Sequence, residues 1–600
     1  MKPWRARLLL LAGTAGLAFA IPAAGQRDRA PEALLPPGFE DPAPPPPKDE
    51  PKAQDPALPT PTPSPPEIDP TGSRPAVDSP VIENAAAEDL EALASQDLPP
   101  PIEVPEASRR RTDVVGALKP EDWGLGHTAF GDAHGRFLAS LMGRLNAPLP
   151  SRWTSILLRR ALLSEIPAPR LINEVDWVAE RAWLLLRMGE ADAARALVQA
   201  VDVDRFTPRM FTVATQTALA TADPAGLCPL VAAGGKANRQ PFWELAEAMC
   251  AALQGEAGRA SQLIDQSRRR LGGGSIDLLL AQKVVGAGTN TRQAVTIQWE
   301  GVSDLNTWRF GLASATGLQV PDQLMRTAGP HVRAWEARAP MIPLEDRRVA
   351  GQVAATLGVF SHANLIEIYS LLGDVTDVSE IEGSLPGRLQ RAYGGRTIGD
   401  RVDAMKGLWD DNDIGGERYG RLILTASAAA RIDPSEERAD RAADLVASMV
   451  SAGLDRHAAR WAPVVDAMGD DGDRAWSILA TSAPRAAVDL SAGRIEDYAE
   501  RAGGHRGRML VAALAGLGRF DDPASLGVDP RPRSRWSQMI ALAAQRNQPG
   551  TVALLAAVGM QTPAWKGVPP HHLYHLLKAL RAVGREYEAR MIAAEAMSRL

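Results

Sequence analysis

VDWVAERAWLLLRM (residues 175–188), followed without a break by GEADAARALV (189–198), reads as two helices joined by one glycine. Trp177, Trp183, Leu184 and Leu185 fall on overlapping faces of the first segment, while Ala194, Leu197 and Val198 line one face of the second. Gly189 between them can take the left-handed conformation that ends a helix. The pattern recurs: GEADAARALV, ADPAGLCPLV (222–231) and GEAGRASQLI (255–264) start at successive intervals of 33 residues. Trp177, Met210 and Trp243 share one column, Pro208 and Pro241 another, and Ala194 and Ala260 match where paired helices approach closely. Leu227 breaks that last column, and Cys228-Pro229 predicts a kink in the middle copy unless its second helix starts late. A fixed interval built from two helical patterns predicts stacked helical hairpins, hence an all-α chain forming an α-solenoid.

The C-terminus carries the scheme again. In PHHLYHLLKALRAVGREYEARMIAAEAM (570–597), Pro570, Gly584, Ala589 and Ile592 occupy the offsets of Pro241, Gly255, Ala260 and Leu263. Helical spacing also marks 416–432, 436–453, 455–468, 506–518 and 535–547, each followed by polar or glycine turns. The stretch TRQAVTIQWEGVSDLNTWRFGLAS (291–314) differs: Val295, Ile297 and Trp299 alternate, which suits a short strand or an extended connector. The expected organisation is a signal peptide over 1–25, a disordered Pro-rich linker over 26–112 and helical repeats over 113–285. An irregular connector over 286–345 and a second helical-repeat region over 346–600 complete it.

The repeat resembles the tetratricopeptide family over about residues 171–270, through the aromatic early in the first helix, the glycine between helices and Ala194 or Ala260 in the second. Its period is one residue short of the usual length of about 34, and the family's proline near the repeat end is not in place. The resemblance implies a binding scaffold and carries over no binding residues.

The N-terminus supplies an address. Lys2, Arg5 and Arg7 precede the apolar run Leu8–Ala20, and Ala18-Phe19-Ala20 and Ala23-Ala24-Gly25 are both small-x-small cleavage sites. The expectation is a periplasmic protein with no membrane span after cleavage; uncleaved, the same segment anchors the chain in the inner membrane. Beyond it, APPPPKDEPK (43–52) and LPTPTPSPPEIDP (58–70) bury too little surface to offset the entropy of ordering. An extended arm of this kind resembles the spacer of TonB-like envelope proteins and reaches on the order of 200 Å at roughly 3.1 Å per residue. Arg109–Arg111, beside Glu103 and Glu106, reads as a solvated boundary.

Composition agrees with a helical body rich in Ala, Leu and Arg, and a net charge of −6 argues against nucleic acid as a partner. Cys228 and Cys250, the only two cysteines, lie in successive helices. In an oxidising compartment they form a candidate disulfide; the alternative is a pair of small buried hydrophobes. Trp299, Trp308 and Trp335 are the tryptophans helical phase explains least, and they are the candidate partner surface.

No catalytic, metal or cofactor site is expected. GxSxG, HExxH and Walker patterns do not occur. His571, His572 and His575 lack a third acidic or thiolate ligand nearby and read as hydrogen-bonded helix-start histidines. Asp411, Asp413 and Gly416 resemble the start of a calcium loop, but Leu422 stands where its bidentate carboxylate is needed. GDDGD (469–473) reads as a solvated helix start, and Arg268–Arg270 as cations on a last helical turn, with an acidic glycan as their alternative ligand. The function expected is a scaffold that binds an envelope protein without chemistry. Two alternatives are a cell-wall or polysaccharide enzyme on a scaffold like that of lytic transglycosylases, and a glycan-binding module. The first needs a Glu-Ser context, whereas Glu165 follows Ser164 in the reverse order.

Overall fold

The computed structural model of the chain describes residues 108–237, 240–289, 295–411 and 417–600. The expected signal peptide, and the Pro-rich linker up to residue 107, lie outside the described residues. Within them the architecture is all-α. Its one sheet is a pair of two-residue antiparallel strands, Val114–Val115 and Ile166–Pro167, with Val114 opposite Pro167 and Val115 opposite Ile166. No described helix is long and apolar enough to cross a membrane.

One backbone geometry joins many of the helices. Between Glu174–Arg187 and Ala191–Gln199, Gly189 sits at φ 89°, its N–H donates to Leu186 O at 2.9 Å, and the Glu190 N–H donates to Leu185 O at 2.8 Å. These two bonds close carbonyls that the helix end leaves open. Gly255 at φ 86° and Gly584 at φ 73° repeat both bonds at the columns where the sequence aligns them, and Gly453 at φ 80° and Asn547 at φ 52° repeat them elsewhere. In the middle copy the same column is Ala222, which takes φ 43° and makes the same pair of bonds, through Ala222 to Leu219 O and Asp223 to Ala218 O. Trp177, Met210 and Trp243 are all buried in the core, as are Ala194, Leu227 and Ala260. Pro229 has the local effect expected of it: Pro224–Leu230 is 3-10 helix, and the α-helix starts late, at Val231–Ala237.

The helix Arg152–Leu163 is buried along nearly its whole length and packs against helices from both ends of the folded chain, among them Glu174–Arg187, Leu344–Leu357, Pro549–Gly559 and Glu586–Arg599. Its two ends are held by opposite charges. At the N-terminus the buried Glu595 accepts from Ser151 Oγ at 2.8 Å, Arg152 N at 2.9 Å and Trp153 N at 3.1 Å. At the C-terminus the buried Arg181 donates to Leu162 O and Ser164 O, both at 2.7 Å, and to Val115 O at 2.9 Å. A carboxylate at the N-terminus and a guanidinium at the C-terminus both complement the helix dipole. Burial pushes the Arg181 guanidinium below its ordinary value, and three carbonyls stand in for the water it has lost.

Arginine ends other helices in the same way. Arg152 reaches Ser451 O, Phe360 O and Ala355 O, Arg187 reaches Leu145 O and Met142 O, and Arg519 reaches Ala480 O and Ala483 O. A planar fork can satisfy two carbonyls at once where an ammonium is a point charge. That use gives a physical reason for 57 arginines against 9 lysines.

The region from 286 to 345, expected as an irregular connector, carries short helices set between irregular segments. Helices Thr307–Ala315, Asp322–Thr327 and Pro330–Glu336 occupy much of it, and the helix Ile276–Gly288 runs into its start. Val295, Ile297 and Trp299 lie in a segment that is neither helix nor paired strand among the described residues. The helices are short because Gly317, Pro321, Gly329 and Pro343 punctuate them.

Candidate functional site

Cys228 lies in the 3-10 turn of the middle hairpin and Cys250 near the end of the helix Phe242–Leu253. The structure joins them in a disulfide, with Cα atoms 5.4 Å apart and a sequence separation of 22. The link ties the hairpin Phe242–Leu253 and Ala257–Leu271 to the preceding turn at the point where Pro229 shortens a helix.

The three tryptophans expected to face a partner do not form a surface. Trp308 and Trp335 are each 2% exposed and belong to the core. Trp308 meets Phe242 edge-on at 6.1 Å and donates Nε1 to Asp277 O at 3.1 Å, while Trp335 packs on Phe310 and His331. Only Trp299 is partly exposed, and it too packs against the core. The short helices of this region bring Trp308 and Trp335 inward.

Other singled-out residues are held by ordinary partners. His572 donates from Nδ1 to Gly559 O at 2.8 Å and stacks on Trp536 at 4.3 Å. Burial lowers the pKa of both His572 and His575. No group of histidines, cysteines and carboxylates suited to a metal occurs among the described residues. Asp411 pairs with Arg388 at 2.7 Å, and residues 412–416, including Asp413 and Gly416, lie outside the described residues. Asp470 and Asp473 of the GDDGD turn pair with Arg494 and Arg501. Arg268 pairs with Asp265 and Arg270 with Glu244 on the last turn before Gly272, at φ 80°.

A group of partly buried charges lies where the first hairpin meets the helix Pro330–Glu336 and the turn after Leu344–Leu357. Glu190 pairs with Arg159 and Asp192 with Arg338, both at 2.6 Å. Burial pushes both carboxyls up, Asp192 to about 7 against the pull of Arg338. Arg159 also donates to Gly358 O at 2.9 Å, and the Arg338 guanidinium lies 4.9 Å from the Phe360 ring centre. Every charge in this group has a structural partner, and its chemistry is that of a clamp between elements.

The surface offers a different kind of site. Leu371, Val375 and Val378 are 41%, 69% and 87% exposed, three large apolar side chains within eight residues. The first two are one turn apart on the helix His362–Val375, whose inner face buries Leu365, Ile368 and Tyr369 and whose start is fixed by the Ser361–Asn364 capping box. Gly373, between them, faces Pro386, so this helix packs on the start of Leu385–Gly394. Beside it opens a groove of about 950 Å³ between Leu385–Gly394 and Ile398–Asp410, lined by Ile381, Glu382, Arg388, Arg391, Asp400 and Asp403 among others. Gly387 makes that geometry: a Cβ there would stand 1.7 Å from Ile381 O. Sequence reasoning missed this row because LIEIYSLLGDV (365–375) is apolar on both faces, and helical spacing alone does not say which face turns outward. The chain matches no protein-family model, no curated protein and no solved structure.

Proposed function

We propose that this chain is an exported, periplasmic helical-repeat scaffold whose hairpins stack as an α-solenoid, and that it binds a segment of an envelope protein without chemistry of its own. The observation that carries the reading is the row Leu371, Val375 and Val378 beside the groove at 381–407. Clustered exposed apolar side chains rimmed by polar ones are the usual mark of a protein-binding surface. The row is flanked by Asp374, Asp377, Glu380 and Glu382, and the groove beside it adds Arg388, Arg391 and Arg396 to Asp400 and Asp403, so the segment that fits carries apolar side chains flanked by charges of both signs. The shared turn geometry at Gly189, Ala222, Gly255 and Gly584 supports the repeat reading and the resemblance to tetratricopeptide hairpins. A basic, apolar N-terminus and a bridged cysteine pair both suit export to an oxidising compartment.

The test is recovery of crosslinked partners from intact envelope with the wild-type chain and with the triple variant Leu371→Ser, Val375→Asp, Val378→Asp. The expected result is a protein retained by the first and lost from the second. Retention of purified cell wall or polysaccharide with no protein partner overturns the reading and favours the glycan alternatives, which turnover assays then separate into binding and catalysis.

A further inference from the structure

A second surface has the opposite character. From Arg531 to Arg585 the chain carries eight arginines and lysines, three histidines and no aspartate or glutamate, within a protein of net charge −6. The fold gathers part of this charge onto one face. The His575 ring hydrogen-bonds to the backbone of Arg531, which seats the loop 529–534 against the helix Pro570–Ala582. Trp536 fixes the same junction, stacking on His572, meeting His575 at 6.4 Å and donating Nε1 to Leu555 O at 2.7 Å. His571 and Lys578 are exposed on the helix, and the side chains of Arg531 and Arg533 keep 70% and 67% of their exposure on the loop.

The geometry points to this face as a docking site for a carboxylate-rich segment of a protein partner. Its chemistry is displayed by Asp529, the one acid of the loop. That carboxylate lies 2.9 and 3.1 Å from Nε and Nη2 of Arg531 and 2.7 Å from Nε of Arg533. Arg531 therefore donates bidentately to a carboxylate with Arg533 adding a third contact, and together they hold the Asp529 carboxyl far below the usual range. One internal acid leaves the cationic face with charge to spare, and clustered cations steer an anionic chain onto a surface. A membrane surface fits less well, because anchoring on lipid calls for apolar side chains beside the cations. Leu542 is the one large apolar residue exposed between 531 and 585 among the described residues. This site is independent of the apolar row at 371–378.

Fluorescence anisotropy of a labelled oligo-glutamate peptide, titrated with the full chain at low and at high salt, tests the assignment. The expected result is saturable binding that weakens with salt, falls about tenfold or more in the triple variant Arg531→Glu, Arg533→Glu, Lys578→Glu, and is unchanged in Arg268→Glu, Arg269→Glu. Asp529→Asn releases both arginines and is expected to tighten binding about threefold, a gain that misfolding does not produce. Equal binding by the wild type and the triple variant overturns the assignment. So does a stronger, Arg531-dependent preference for phosphatidylglycerol vesicles or for a polyuronate, which reassigns the face to lipid or to glycan. If the triple variant still recovers an envelope partner that the Leu371, Val375, Val378 variant loses, the scaffold reading stands whatever the peptide does.

Discussion

The helix Arg152–Leu163 and the hairpin Phe242–Leu253 with Ala257–Leu271 are both helical, yet different forces hold them. The first is buried almost throughout and is fixed by side chains remote in sequence: Glu595 bonds to the Arg152 N–H from 443 positions away. The second is exposed along most of its outer helix and is fixed locally, by the Gly255 turn, by last-turn cations and by the bridge between Cys228 and Cys250. Loss of a remote contact should therefore be felt throughout the fold, and loss of a local one should stay local.

The largest effect tests the first half of that contrast. Glu595→Ala leaves Ser151, two backbone N–H groups and Arg599 without their shared acceptor in a buried site. Breaking a buried charged network this way costs about 3–5 kcal/mol. Denaturant unfolding should show that loss, and hydrogen exchange should rise together in Arg152–Leu163, Leu344–Leu357 and Glu586–Arg599. Faster exchange in Glu586–Arg599 alone would show that the contact does not couple the two ends.

Replacing both cysteines, Cys228→Ser with Cys250→Ser, tests the second half. A bridge closing a loop of 22 residues contributes about 3 kcal/mol in the chain-entropy account. Because the hairpin is peripheral, the expected result is faster exchange over 242–271 with Arg152–Leu163 still protected. Equal loss of protection in both regions would erase the distinction.

The two regions were not equally legible. The outer hairpin could be read from GEAGRASQLI and the helix before it, because turn, capping and amphipathicity are local and each leaves a residue type at a fixed offset. Three of the four aligned turns carry glycine at this column, and each of those glycines has positive φ. The central helix had no such signature. Glu595 in EYEARMIAAEAMSR reads as an outward-facing helix residue until the fold brings Ser151 to it, and Arg181 in a Trp-rich helix gives no sign that it ends another helix. Trp308 and Trp335 were misplaced for a related reason: helices of seven to nine residues between Pro and Gly are too short for their phase to declare an inner face. The candidate surface at 371–378 was hidden by the opposite excess, a helix apolar on both sides.

The first hairpin lies between these extremes, since Asp192 meets Arg338 across an interface. Burial raises its carboxyl to about 7, so the folded chain holds this proton more tightly than the unfolded chain does. The associated stability is fully present below the ordinary aspartate range and is lost as pH rises from about 4 through about 7. Asp192→Asn removes the titration. Its unfolding free energy should fall further below wild type at pH 5 than at pH 8, by on the order of 1 kcal/mol. A difference independent of pH would place the Asp192 carboxyl in its ordinary range and make the clamp a plain ion pair.

Ala222→Gly is the smallest and most local change. Ala222 adopts φ 43° in the turn that glycine fills at Gly189, Gly255 and Gly584, so its methyl group opposes the backbone conformation that its neighbours demand. Glycine removes that opposition but adds freedom to the unfolded chain, and the two effects partly cancel. A net gain of about 0.5 kcal/mol is expected, visible as slower exchange at Asp223 with no change in Arg152–Leu163. The reverse change, Gly189→Ala, adds a Cβ 3.1 Å from that of Ala334 and forces the same strained φ, so it should cost about 1–2 kcal/mol. Opposite signs at two positions of one column would show that the turn sets the residue type. A loss in both variants would show instead that the middle copy has its own geometry, shaped by Pro229 and the disulfide.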